Sequence, residues 1–367
     1  MIIFPIFLLG CISGFILFAR VLLYRNSEPL KDGCRVSVII PARNEEKNLP
    51  HILWSLKEQT IQPFEIIVVD DSSSDKTAEV AGCYGARVIR NSVLPDGWTG
   101  KNWAVWNGFL HCSGDLLIFL DADVRLAPRA LEALIQTRER SGGAISVIPY
   151  HYTERFYERL AQLPCLLGIF AFTSPFERNN GKKGLYGSCI VVTRQDYERI
   201  NGHNSVQGEI LDDLSLGKKF AEAGIRVDNF IGYDMVSFRM YSGGIKSLVQ
   251  GFGKGAVLST AVLRPATVIL ISVWLVGLLA AEFVMPFLIA FGHPWAVPFL
   301  ALYLFYTAQI IYFNKWTGSY GIIIPVVHIL SSALFIFIMV YSIYMVTCLG
   351  YVSWKGRRIP VRKEKGT

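Results

Sequence analysis

The sequence has 367 residues, of which 52% are hydrophobic and 18% are charged, and its formal net charge is +7. A chain this apolar is not an ordinary soluble protein, and its length suits one domain of about 200–250 residues together with membrane segments. Much of the positive charge lies near the C-terminus, where six basic side chains and one acid occur together (Lys355, Arg357, Arg358, Arg362, Lys363, Glu364 and Lys365). A basic segment beside an apolar run is typical of contact with anionic lipids, so we expect a membrane partner and no nucleic acid.

The cysteines and histidines form no pattern typical of a metal site or of a disulfide framework. The seven cysteines are scattered without a CxxC pair, and the six histidines form neither HExxH nor HxxxH. An odd number of scattered cysteines is typical of a reducing compartment. A zinc site and a disulfide-stabilised fold are therefore not expected.

An uninterrupted apolar run at residues 2–19 predicts an N-terminal transmembrane helix. The run has neither the basic start nor the small-residue cleavage site of a secretory signal, and Arg20 and Arg25 follow it. Because basic residues flank the cytoplasmic ends of membrane helices, we expect this segment to anchor a cytoplasmic domain to the cell membrane.

From Arg35 onward, short β-branched runs alternate with amphipathic stretches. The runs predict strands at residues 36–40, 65–69, 86–90 and 116–120, and the stretches predict helices at residues 46–59, 75–83, 102–110 and 128–140. Such alternation indicates an α/β fold with a mostly parallel, Rossmann-like sheet. Ligands of such sheets bind at the carboxyl ends of the strands.

Four further apolar runs occur at residues 160–172, 266–291, 295–313 and 322–349. The first is too short to span a bilayer and predicts an in-plane or buried helix. If the other three all crossed the membrane, the basic C-terminus would lie outside, against the positive-inside rule. One of them is therefore expected to be a hairpin, a re-entrant segment or an in-plane helix, and the last run, with Pro325 near its start, is the leading candidate.

The sequence PARNEE at residues 41–46 follows the first predicted strand. The strand ends at Pro41, and Ala42, Arg43 and Glu45 lie in the polar turn after it. Backbone groups and side chains in such a turn can bind the base of a ligand. A strand end followed by an asparagine helix cap would give the same pattern, so the motif alone leaves both interpretations open.

The second predicted strand ends in two carboxylates. Asp70 and Asp71 begin the sequence DDSSSDKT, in which Asp75 is typical of a helix cap. A carboxylate at the end of a strand can accept hydrogen bonds from a base N–H or from a ribose hydroxyl. An aspartate pair is also common at strand ends that bind nothing, so this motif gives moderate support for a nucleoside site.

The fourth predicted strand is followed by DAD at residues 121–123. Asp121 and Asp123 would lie at the same edge of the sheet as the two earlier motifs. Their carboxylates could hold a divalent cation that bridges the two phosphates of a nucleotide diphosphate. DxD occurs by chance in many sequences, but its position after a strand, and third in this series, favours the metal site.

Together, PARNEE, VVDDSSSDKT and DAD resemble the family 2 glycosyltransferases over residues 35–255. The resemblance implies a GT-A catalytic domain, a UDP-sugar as the donor and Mn²⁺ or Mg²⁺ as the cofactor. It also implies that Asp70 or Asp71 contacts uracil or ribose, and that Asp123 and Asp121 hold the cation.

The sequence LPDGWTGKN at residues 94–102 places Lys101 between the second and third motifs. Its glycines permit a close approach of the backbone to a ligand, and the lysine could neutralise donor phosphates. A solvated loop lysine would look the same. The GWTGKN form resembles that of lipid-modifying members of the family, which favours a role for Lys101 in binding the donor.

The family resemblance also implies a carboxylate that activates the acceptor, usually within a Glu-Asp pair. The sequence EILDDLSLG at residues 209–217 fits, with Asp213 at the usual position of the base and Asp212 where glutamate is more common. The assignment of the base between these two stays open. The structural alternative is an acidic pair that stabilises the N-terminus of a helix.

Processive members of the family carry a QxxRW motif, which VSFRMY replaces here at residues 236–241. The glutamine and tryptophan that would contact a growing glycan are absent, which predicts transfer of a single sugar. Arg239 could still support the donor phosphates, because a guanidinium group matches phosphate oxygens.

FRMY, GFGK at residues 251–254 and WKGRR at residues 354–358 resemble the carotenoid-pathway branch of the family. This resemblance implies transfer of glucose to a carotenoid acid. A carboxylic acid with a pKa of roughly 4–5 is ionised at neutral pH and needs no base, and two aspartates would repel it. Asp212 and Asp213 therefore favour the alternative acceptor, a hydroxyl lipid such as diacylglycerol or a hopanoid. FRMY and WKGRR favour the carotenoid branch, and the carotenoid acid stays the leading acceptor.

Two other classes of function fit the sequence less well. A transporter would need more intramembrane ionisable residues than Glu282 and His328. A non-catalytic sugar-nucleotide sensor would be expected to lack DAD or the acidic pair, and both are present. The sequence therefore predicts an inverting, multi-pass hexosyltransferase with an anchor at residues 1–24, a GT-A domain at 35–255, a C-terminal transmembrane region at 265–350 and a basic cytoplasmic tail at 351–367.

Overall fold

A computed structural model describes residues 3–25, 33–255, 262–354 and 357–360. The chain forms two compact units. One, called here the sheet unit, contains residues 21–150 and 181–239, and the other, called the helical unit, contains residues 1–20, 151–180 and 240–367. The division of the chain into four segments stays a prediction, as does the role of the basic tail, much of which lies outside the described residues.

The elements are numbered in chain order. The strands are β1 (Val36–Ala42), β2 (Glu65–Asp70), β3 (Arg87–Arg90), β4 (Leu116–Leu120), β5 (Val124–Leu126), β6 (Ala144–Ile148), β7 (Tyr150–His151), β8 (Cys189–Thr193), β9 (Val227–Ile231), β10 (Val236–Phe238), β11 (Tyr351–Trp354) and β12 (Arg357–Pro360). The helices are α1 (Ile3–Leu17), α2 (Leu49–Lys57), α3 (Thr77–Cys83), α4 (Gly100–His111), α5 (Ala130–Ser141), α6 (Phe156–Arg159), α7 (Gln162–Thr173), α8 (Arg194–Arg199), α9 (Asp212–Glu222), α10 (Ile245–Gly255), α11 (Pro265–Ala290), α12 (Ala296–Thr317), α13 (Ile323–Val326) and α14 (Ile329–Ile343). Short 3₁₀-helices span Pro175–Glu177 and Gly202–Val206, and a π-helix spans Tyr344–Leu349.

The sheet unit is built on a seven-stranded sheet of order β3-β2-β1-β4-β8-β6-β9. β1 is parallel to both β2 and β4, β2 is parallel to β3, and β6 is parallel to β9. β8 is antiparallel to its two neighbours, β4 and β6. Strands β1 to β4 and helices α2 to α5 all lie at predicted positions, which confirms the α/β prediction with a mostly parallel sheet.

Burial on both faces explains the composition of the central strands. All five residues of β4, Leu116–Leu120, are buried, as expected for a strand with helices on both sides. The core on one face contains Ile39, Phe119, Leu216 and Phe220. Each such side chain contributes roughly 1.5–3 kcal/mol when it is removed from water, so the sheet is a stable base for the polar loops at its edge.

The helical unit has its own apolar core. Side chains of α1, α7, α11 and α12 pack into one cluster that includes Phe170, Trp274 and Phe313. Two hydrogen bonds connect polar groups within this core: Trp274 Nε1 donates to Gln309 Oε1 at 2.7 Å, and Gln309 Nε2 donates to Cys11 O at 2.7 Å. Helix α7, at the apolar run predicted to be in-plane or buried, contributes Leu163, Leu166 and Phe170 to this cluster.

Three helices among the described residues are long and apolar enough to cross a membrane: Pro265–Ala290, Ala296–Thr317 and Ile329–Leu349. Helix α1 has 15 residues, fewer than the ~20 that a bilayer requires, so the N-terminal anchor stays a prediction. The last predicted apolar run is divided into α13 and α14, and Pro325 lies within α13. Its 21-residue second part is one of the three candidate spans, and the number of membrane crossings stays a prediction.

The two ionisable residues expected within the membrane helices contact each other. His328 Nδ1 forms a short hydrogen bond with Glu282 Oε1, and Ser332 Oγ donates to the same oxygen at 2.8 Å. Glu282 and His328 are 1% and 2% exposed. Removing either partner would leave a buried polar group without compensation, which is strongly destabilising. Each residue therefore has a partner for one of its polar atoms within the helical unit.

The buried residue His151 of the helical unit is expected to reduce stability at acid pH. Burial lowers the pKa of its imidazole from 6.5 to about 4, against a smaller opposing effect of Glu158. Between these values the unfolded chain binds more protons than the folded protein, so the free energy of unfolding decreases by up to about 3 kcal/mol as the pH falls from 7 to 4. Thermal unfolding in detergent at several pH values should show this decrease in the wild type and a shallower one in His151→Gln.

The exposed residue His111 provides the control, because His111→Gln should keep the wild-type pH dependence. If the stability of wild type and of His151→Gln decreased equally steeply with falling pH, the decrease could not be assigned to His151.

Candidate active site

Three polar motifs emerge at one edge of the main sheet. β2, β1 and β4 are adjacent and parallel. The residues that follow these strands (Asp71, Arg43 and Asp121) therefore lie at the same carboxyl edge. This is the edge at which α/β sheets bind ligands, as the sequence analysis expected.

The turns after β1 and β2 contact each other directly. The backbone N–H of Asp71 donates to Ala42 O at 2.8 Å, and Arg43 Nη1 donates to Asp71 O at 2.7 Å. Arg43 Nη1 also lies 3.8 Å from Asp71 Oδ2. Asp71 is 5% exposed, so the nearby guanidinium charge offsets the cost of burying its carboxylate.

Hydrogen bonds from Asp70 and Glu45 hold the same two turns in shape. Asp70 Oδ1 accepts from the backbone N–H of Ser73 at 3.1 Å. The N–H of Glu45 donates to Thr77 Oγ1 at 2.8 Å, and its carboxylate accepts from Asn48 Nδ2 at 2.7 Å. The residues predicted to bind the nucleoside thus form one connected pair of turns (Pro41, Ala42, Arg43, Glu45, Asp70 and Asp71).

The two residues considered as helix caps differ in what they contact. Helix α2 is preceded by Asn48, and Asn44 Oδ1 instead accepts from the N–H of Ser74 at 2.8 Å. Asp75 accepts from the N–H of Thr77 at 3.0 Å, at the start of α3, as a cap does. Burial opposes the charge of Asp75, but its hydrogen bonds outweigh this effect and lower its pKa. Asn44 therefore connects the two turns rather than capping a helix.

Lys101 forms an ion pair with the first carboxylate of DAD. Its Nζ lies 2.7 Å from Asp121 Oδ1, and its position is set by α4, which Thr99 caps by accepting from Asn102 N–H. Burial disfavours the ammonium charge, but the carboxylates of Asp121, Asp212 and Asp213 outweigh burial and raise the pKa of Lys101. Lys101 is therefore a charged member of the site and not a solvated loop lysine.

Asp123 and Arg239 are neighbours through a second, smaller sheet. β10 is antiparallel to β5, with Phe238 opposite Val124. One residue further along, the backbone N–H of Arg239 donates to Asp123 O at 3.2 Å. The tertiary structure thus joins FRMY to DAD, although their positions in the sequence are more than a hundred residues apart.

The acidic pair begins α9. Asp213 Oδ2 accepts from the backbone N–H of Gly187 at 3.0 Å, and Asp213 Oδ1 accepts from the N–H of Leu214 at 3.0 Å. Asp212 is 6% exposed, and its Oδ2 lies 3.7 Å from His203 Nε2. The two carboxylates are therefore held by different groups, Asp213 by backbone donors and Asp212 beside an imidazole.

The segment before β8 connects the acidic pair to DAD. The N–H of Asp121 donates to Ser188 O at 3.0 Å, while the preceding residue, Gly187, donates to Asp213. The antiparallel insertion of β8 beside β4 brings these groups together. Lys101, Asp121 and Asp213 consequently belong to one cluster.

Four residues that shape this cluster were missed in the sequence analysis (Asn102, Gly187, Tyr197 and His203). Asn102 is fully buried, and its Nδ2 lies within 2.9–3.2 Å of the carbonyl oxygens of Val206, Gln207 and Glu209. It thereby holds α4 against the loop that leads to the acidic pair. The asparagine of GWTGKN was a visible signal, whereas nothing local marks the other three.

Asp121 and Asp123 supply carboxylate oxygens, which suit Mn²⁺ and Mg²⁺. Within the described part of the chain, no group of three or more His, Cys, Asp or Glu side chains is arranged to hold a metal ion. Mg²⁺ is commonly held by only one or two carboxylates together with substrate phosphates. The two aspartates therefore fit a cation that binds along with a phosphorylated substrate.

Comparison with known proteins identifies the family. The profile of glycosyl transferase family 2 matches residues 37–200. The chain is 33% identical over 337 residues to 4,4'-diaponeurosporenoate glycosyltransferase of Staphylococcus aureus strain USA300, covering 90% of this chain and 89% of the relative. The enzyme of strain MRSA252 matches with the same identity and coverage. The chain belongs to glycosyltransferase family 2.

Two solved glycosyltransferase structures resemble this family 2 chain. A mannosyltransferase from Pyrobaculum calidifontis, in complex with GDP-Man and Mn²⁺, is 17% identical, with a TM-score of 0.49 and coverage of 85% of this chain and 95% of that chain. Glucosyl-3-phosphoglycerate synthase from Mycobacterium tuberculosis, in complex with Mn²⁺, UDP and its product, is 18% identical, with a TM-score of 0.39 and coverage of 75% and 88%.

Membership of family 2 makes this chain a glycosyltransferase, which confirms the predicted enzyme class. The α/β fold with its mostly parallel sheet agrees with the predicted GT-A fold class, and the bounds of the catalytic domain at residues 35–255 stay a prediction. The matched profile begins in β1 and ends just after α8, so it contains the first three motifs and Lys101. The acidic pair and Arg239 lie beyond the matched residues, and their roles stay predictions.

In this family 2 enzyme, Gly187→Ala is expected to lower turnover about 10-fold or more. It would displace both the Asp213 side chain and the backbone segment whose next residue, Ser188, contacts Asp121. A Cβ at this position would lie 2.9 Å from Asp213 Oδ2 and 3.2 Å from Asp213 Cβ, closer than packed atoms allow. A 1 Å displacement at an active site can cost roughly 100-fold in rate. Steady-state kinetics with donor and acceptor would measure the loss.

Gly181→Ala is the matched control, because a Cβ there has nothing within 4 Å. Turnover by Gly187→Ala equal to that of the control would show that the position of Asp213 is not critical.

Proposed function

We propose that this glycosyltransferase is a membrane-bound, inverting enzyme that transfers one hexose, glucose, from a UDP-sugar to an apolar carotenoid acid. The observation that carries the proposal is the electrostatic cluster of Lys101 with Asp121, Asp212 and Asp213. Glycosyl transfer from a nucleotide diphosphate requires groups that stabilise a departing diphosphate and carboxylates that act on a cation and on the acceptor. The cluster contains both kinds of group.

The donor's nucleoside would bind in the connected turns after β1 and β2. The carboxylate of Asp70 or Asp71 would accept from uracil or from a ribose hydroxyl, and Pro41, Ala42, Arg43 and Glu45 would shape the rest of the pocket. Support comes from the rigid hydrogen bonding of these turns at the sheet's carboxyl edge. Transfer of one sugar, and not polymerisation, is supported by VSFRMY in place of QxxRW.

The donor's diphosphate would be held by a cation and by basic side chains. Asp121 and Asp123 would bind Mn²⁺ or Mg²⁺, which when bound stabilises negative charge on the diphosphate. Lys101, already paired with Asp121, would contact the phosphates. Arg239, joined to Asp123 through its backbone, would contribute a guanidinium group suited to phosphate oxygens.

The reaction would be a single in-line displacement at the anomeric carbon. An acceptor oxygen forms the new bond while the bond to the diphosphate breaks, and the bonding electrons leave with UDP, so the configuration is inverted. For a hydroxyl acceptor, Asp213 or Asp212 would remove the proton. An ionised carboxylic acid has no proton to remove, and the aspartates would then act through Lys101, whose positive charge they stabilise.

The acceptor assignment is supported by the relative, whose name specifies 4,4'-diaponeurosporenoate and which matches over 90% of this chain. One feature of the sequence argued against an acid, because Asp212 and Asp213 would repel it. That repulsion is weaker in the folded protein, since Asp213 accepts two backbone hydrogen bonds and Lys101 interacts with both aspartates. A carboxylate acceptor is therefore compatible with this site.

A hydroxyl lipid, such as diacylglycerol or a hopanoid, is the second candidate acceptor. The observation in its favour is that both aspartates are present at the start of α9, as expected where a base is needed. Either acceptor is apolar, which is consistent with the three helices long enough to cross a membrane. We propose a multi-pass protein of the cell membrane with its catalytic domain in the cytoplasm.

The test measures UDP release and product formation by the full-length protein in liposomes. UDP-glucose is the donor, and the carotenoid acid and diacylglycerol are offered separately to wild type and to Asp213→Asn. The proposal expects transfer to the acid, and expects that activity to survive in Asp213→Asn within about 10-fold, because no proton is removed.

If wild type transferred the sugar only to the hydroxyl lipid, and Asp213→Asn lost this activity, the hydroxyl lipid and not the carotenoid acid would be the acceptor. If the protein bound and turned over another nucleotide sugar but not UDP-glucose, the proposed donor would be wrong.

A further inference from the structure

A buried imidazole lies beside the acidic pair without belonging to any of the sequence motifs. His203 is 2% exposed and lies in the 3₁₀-helix Gly202–Val206, shortly before α9. Its Nε2 is 3.7 Å from Asp212 Oδ2. This distance is too long for a direct hydrogen bond, but it brings a polar ring nitrogen close to a carboxylate where both groups are shielded from water.

The hydrogen bonds on the other side of the ring determine which nitrogen carries the proton. The backbone N–H of His203 donates to Tyr197 Oη at 3.0 Å, and Tyr197 Oη lies 2.7 Å from His203 Nδ1. Because the phenol oxygen already accepts the backbone N–H, its own O–H is free to donate to Nδ1. The hydrogen of the imidazole is then on Nε2 and faces Asp212.

Tyr197 is well suited to hold this arrangement. It is fully buried, and burial raises the pKa of its phenol, so the O–H donor is retained. Its ring packs against Phe109 and Phe119 in the core. The tyrosine is therefore a rigid donor, and the orientation of the His203 ring follows from it.

The loop that carries His203 is also held from the opposite side. Asn102 Nδ2 contacts the carbonyl oxygens of Val206, Gln207 and Glu209. The backbone between His203 and Asp212 is thus tied to the helix that carries Lys101. A shift of the imidazole relative to Asp212 would require several of these buried hydrogen bonds to break.

We propose that His203 is a positioning residue that, through its Nε2–H, orients the Asp212 carboxylate within the active site, and that Tyr197 sets the tautomer. His203 does not touch the substrates; it acts through Asp212. The proposal deepens the proposed function, because it rests on the role of Asp212 in glycosyl transfer. The three residues would form a chain, in which the Tyr197 O–H donates to His203 Nδ1 and the His203 Nε2–H faces the Asp212 carboxylate.

The kinetic test compares His203→Leu, His203→Gln and Tyr197→Phe with wild type, as full-length proteins in detergent, with turnover expressed per donor-binding site. We expect His203→Leu to lower kcat about 10- to 100-fold with little change in the KM for the donor. His203→Gln should recover much of the loss, because its amide nitrogen can place a donor near the position of Nε2. Tyr197→Phe should give a smaller loss than His203→Leu.

A merely structural role predicts a different pattern, in which fewer molecules fold but each folded molecule has the wild-type kcat. The double variant His203→Leu/Asp212→Asn separates the two cases further. If His203 acts through Asp212, its substitution has little additional effect once Asp212 is changed. Wild-type kcat in His203→Leu, or fully additive losses in the double variant, would overturn the proposal.

A second readout does not depend on turnover. In protein labelled with ¹⁵N-histidine, the resonances of His203, assigned with His203→Gln, should show the Nε2–H tautomer and should shift in Asp212→Asn. An Nδ1–H tautomer, or a spectrum unaffected by Asp212→Asn, would overturn the positioning role. If wild type does not turn over UDP-glucose but His203 shows the Nε2–H tautomer and responds to Asp212→Asn, the proposed function fails while the positioning of Asp212 by His203 stands.

Discussion

Asp123→Asn is expected to abolish measurable glycosyl transfer, with a loss of at least about 10²–10³-fold in kcat. The change keeps the shape of the side chain but removes the charge that would attract the cation. The backbone N–H of Arg239 donates to the carbonyl oxygen of Asp123, which the substitution keeps, so the junction of β5 and β10 should be retained. Turnover with saturating UDP-glucose and Mn²⁺ measures the effect, and calorimetric titration of Mn²⁺ in the presence of UDP measures cation binding.

β4, the strand that precedes DAD, provides a matched control at its opposite end. Asp115 directly precedes β4, and its carboxylate pairs with Arg35 at 3.1 Å, with both side chains about half exposed. Such surface pairs contribute roughly 0–1 kcal/mol, so Asp115→Asn should keep nearly wild-type activity. Asp123→Asn with near-wild-type turnover and unchanged Mn²⁺ binding would remove this residue from the proposed cation site.

Lys101→Met is expected to weaken UDP-sugar binding about 10- to 100-fold. Methionine preserves most of the side-chain volume but removes the ammonium group that lies 2.7 Å from Asp121. Hydrogen bonds to charged groups contribute roughly 1.5–3 kcal/mol, which corresponds to the expected change in affinity. Titration of UDP-glucose in the presence of Mn²⁺ measures this affinity.

The affinity of Lys101→Met for Mn²⁺ alone should change differently from its affinity for the donor. Without Lys101, Asp121 loses the ammonium group that pairs with it, so the affinity for Mn²⁺ alone should stay the same or increase. Lys218→Met serves as the control, because Lys218 is half exposed and pairs with Glu222 on the outside of α9. Unchanged UDP-glucose affinity in Lys101→Met would reduce Lys101 to a structural partner of Asp121.

Local sequence patterns were sufficient for the first half of the sheet unit. Strands β1 to β4 are short apolar runs between turn residues, and each lies where the alternation predicted it. Polar residues directly after a buried strand must emerge at the edge of the sheet, which is why PARNEE, DDSSSDKT and DAD could be placed together before the structure was known. The three long apolar helices followed equally directly from hydropathy.

Strand pairing beyond β4 could not be predicted in this way. β8 was not predicted, and it inserts between β4 and β6 in antiparallel orientation. This insertion brings Gly187 to Asp213 and Ser188 to Asp121. A single sequence contains no local signal for the order of strands, because that order depends on contacts between distant segments.

The sequence by itself determined the class of the fold and the family, because these depend on short-range periodicity and on compact motifs. It also predicted most of the charged residues of the candidate site. Only the tertiary structure decided what those residues contact. Lys101 proved to pair with Asp121, Asp213 to accept from Gly187, and Asp212 to face His203. Each of these contacts joins separate elements, and its energy arises from burial and charge that exist only after the chain has folded.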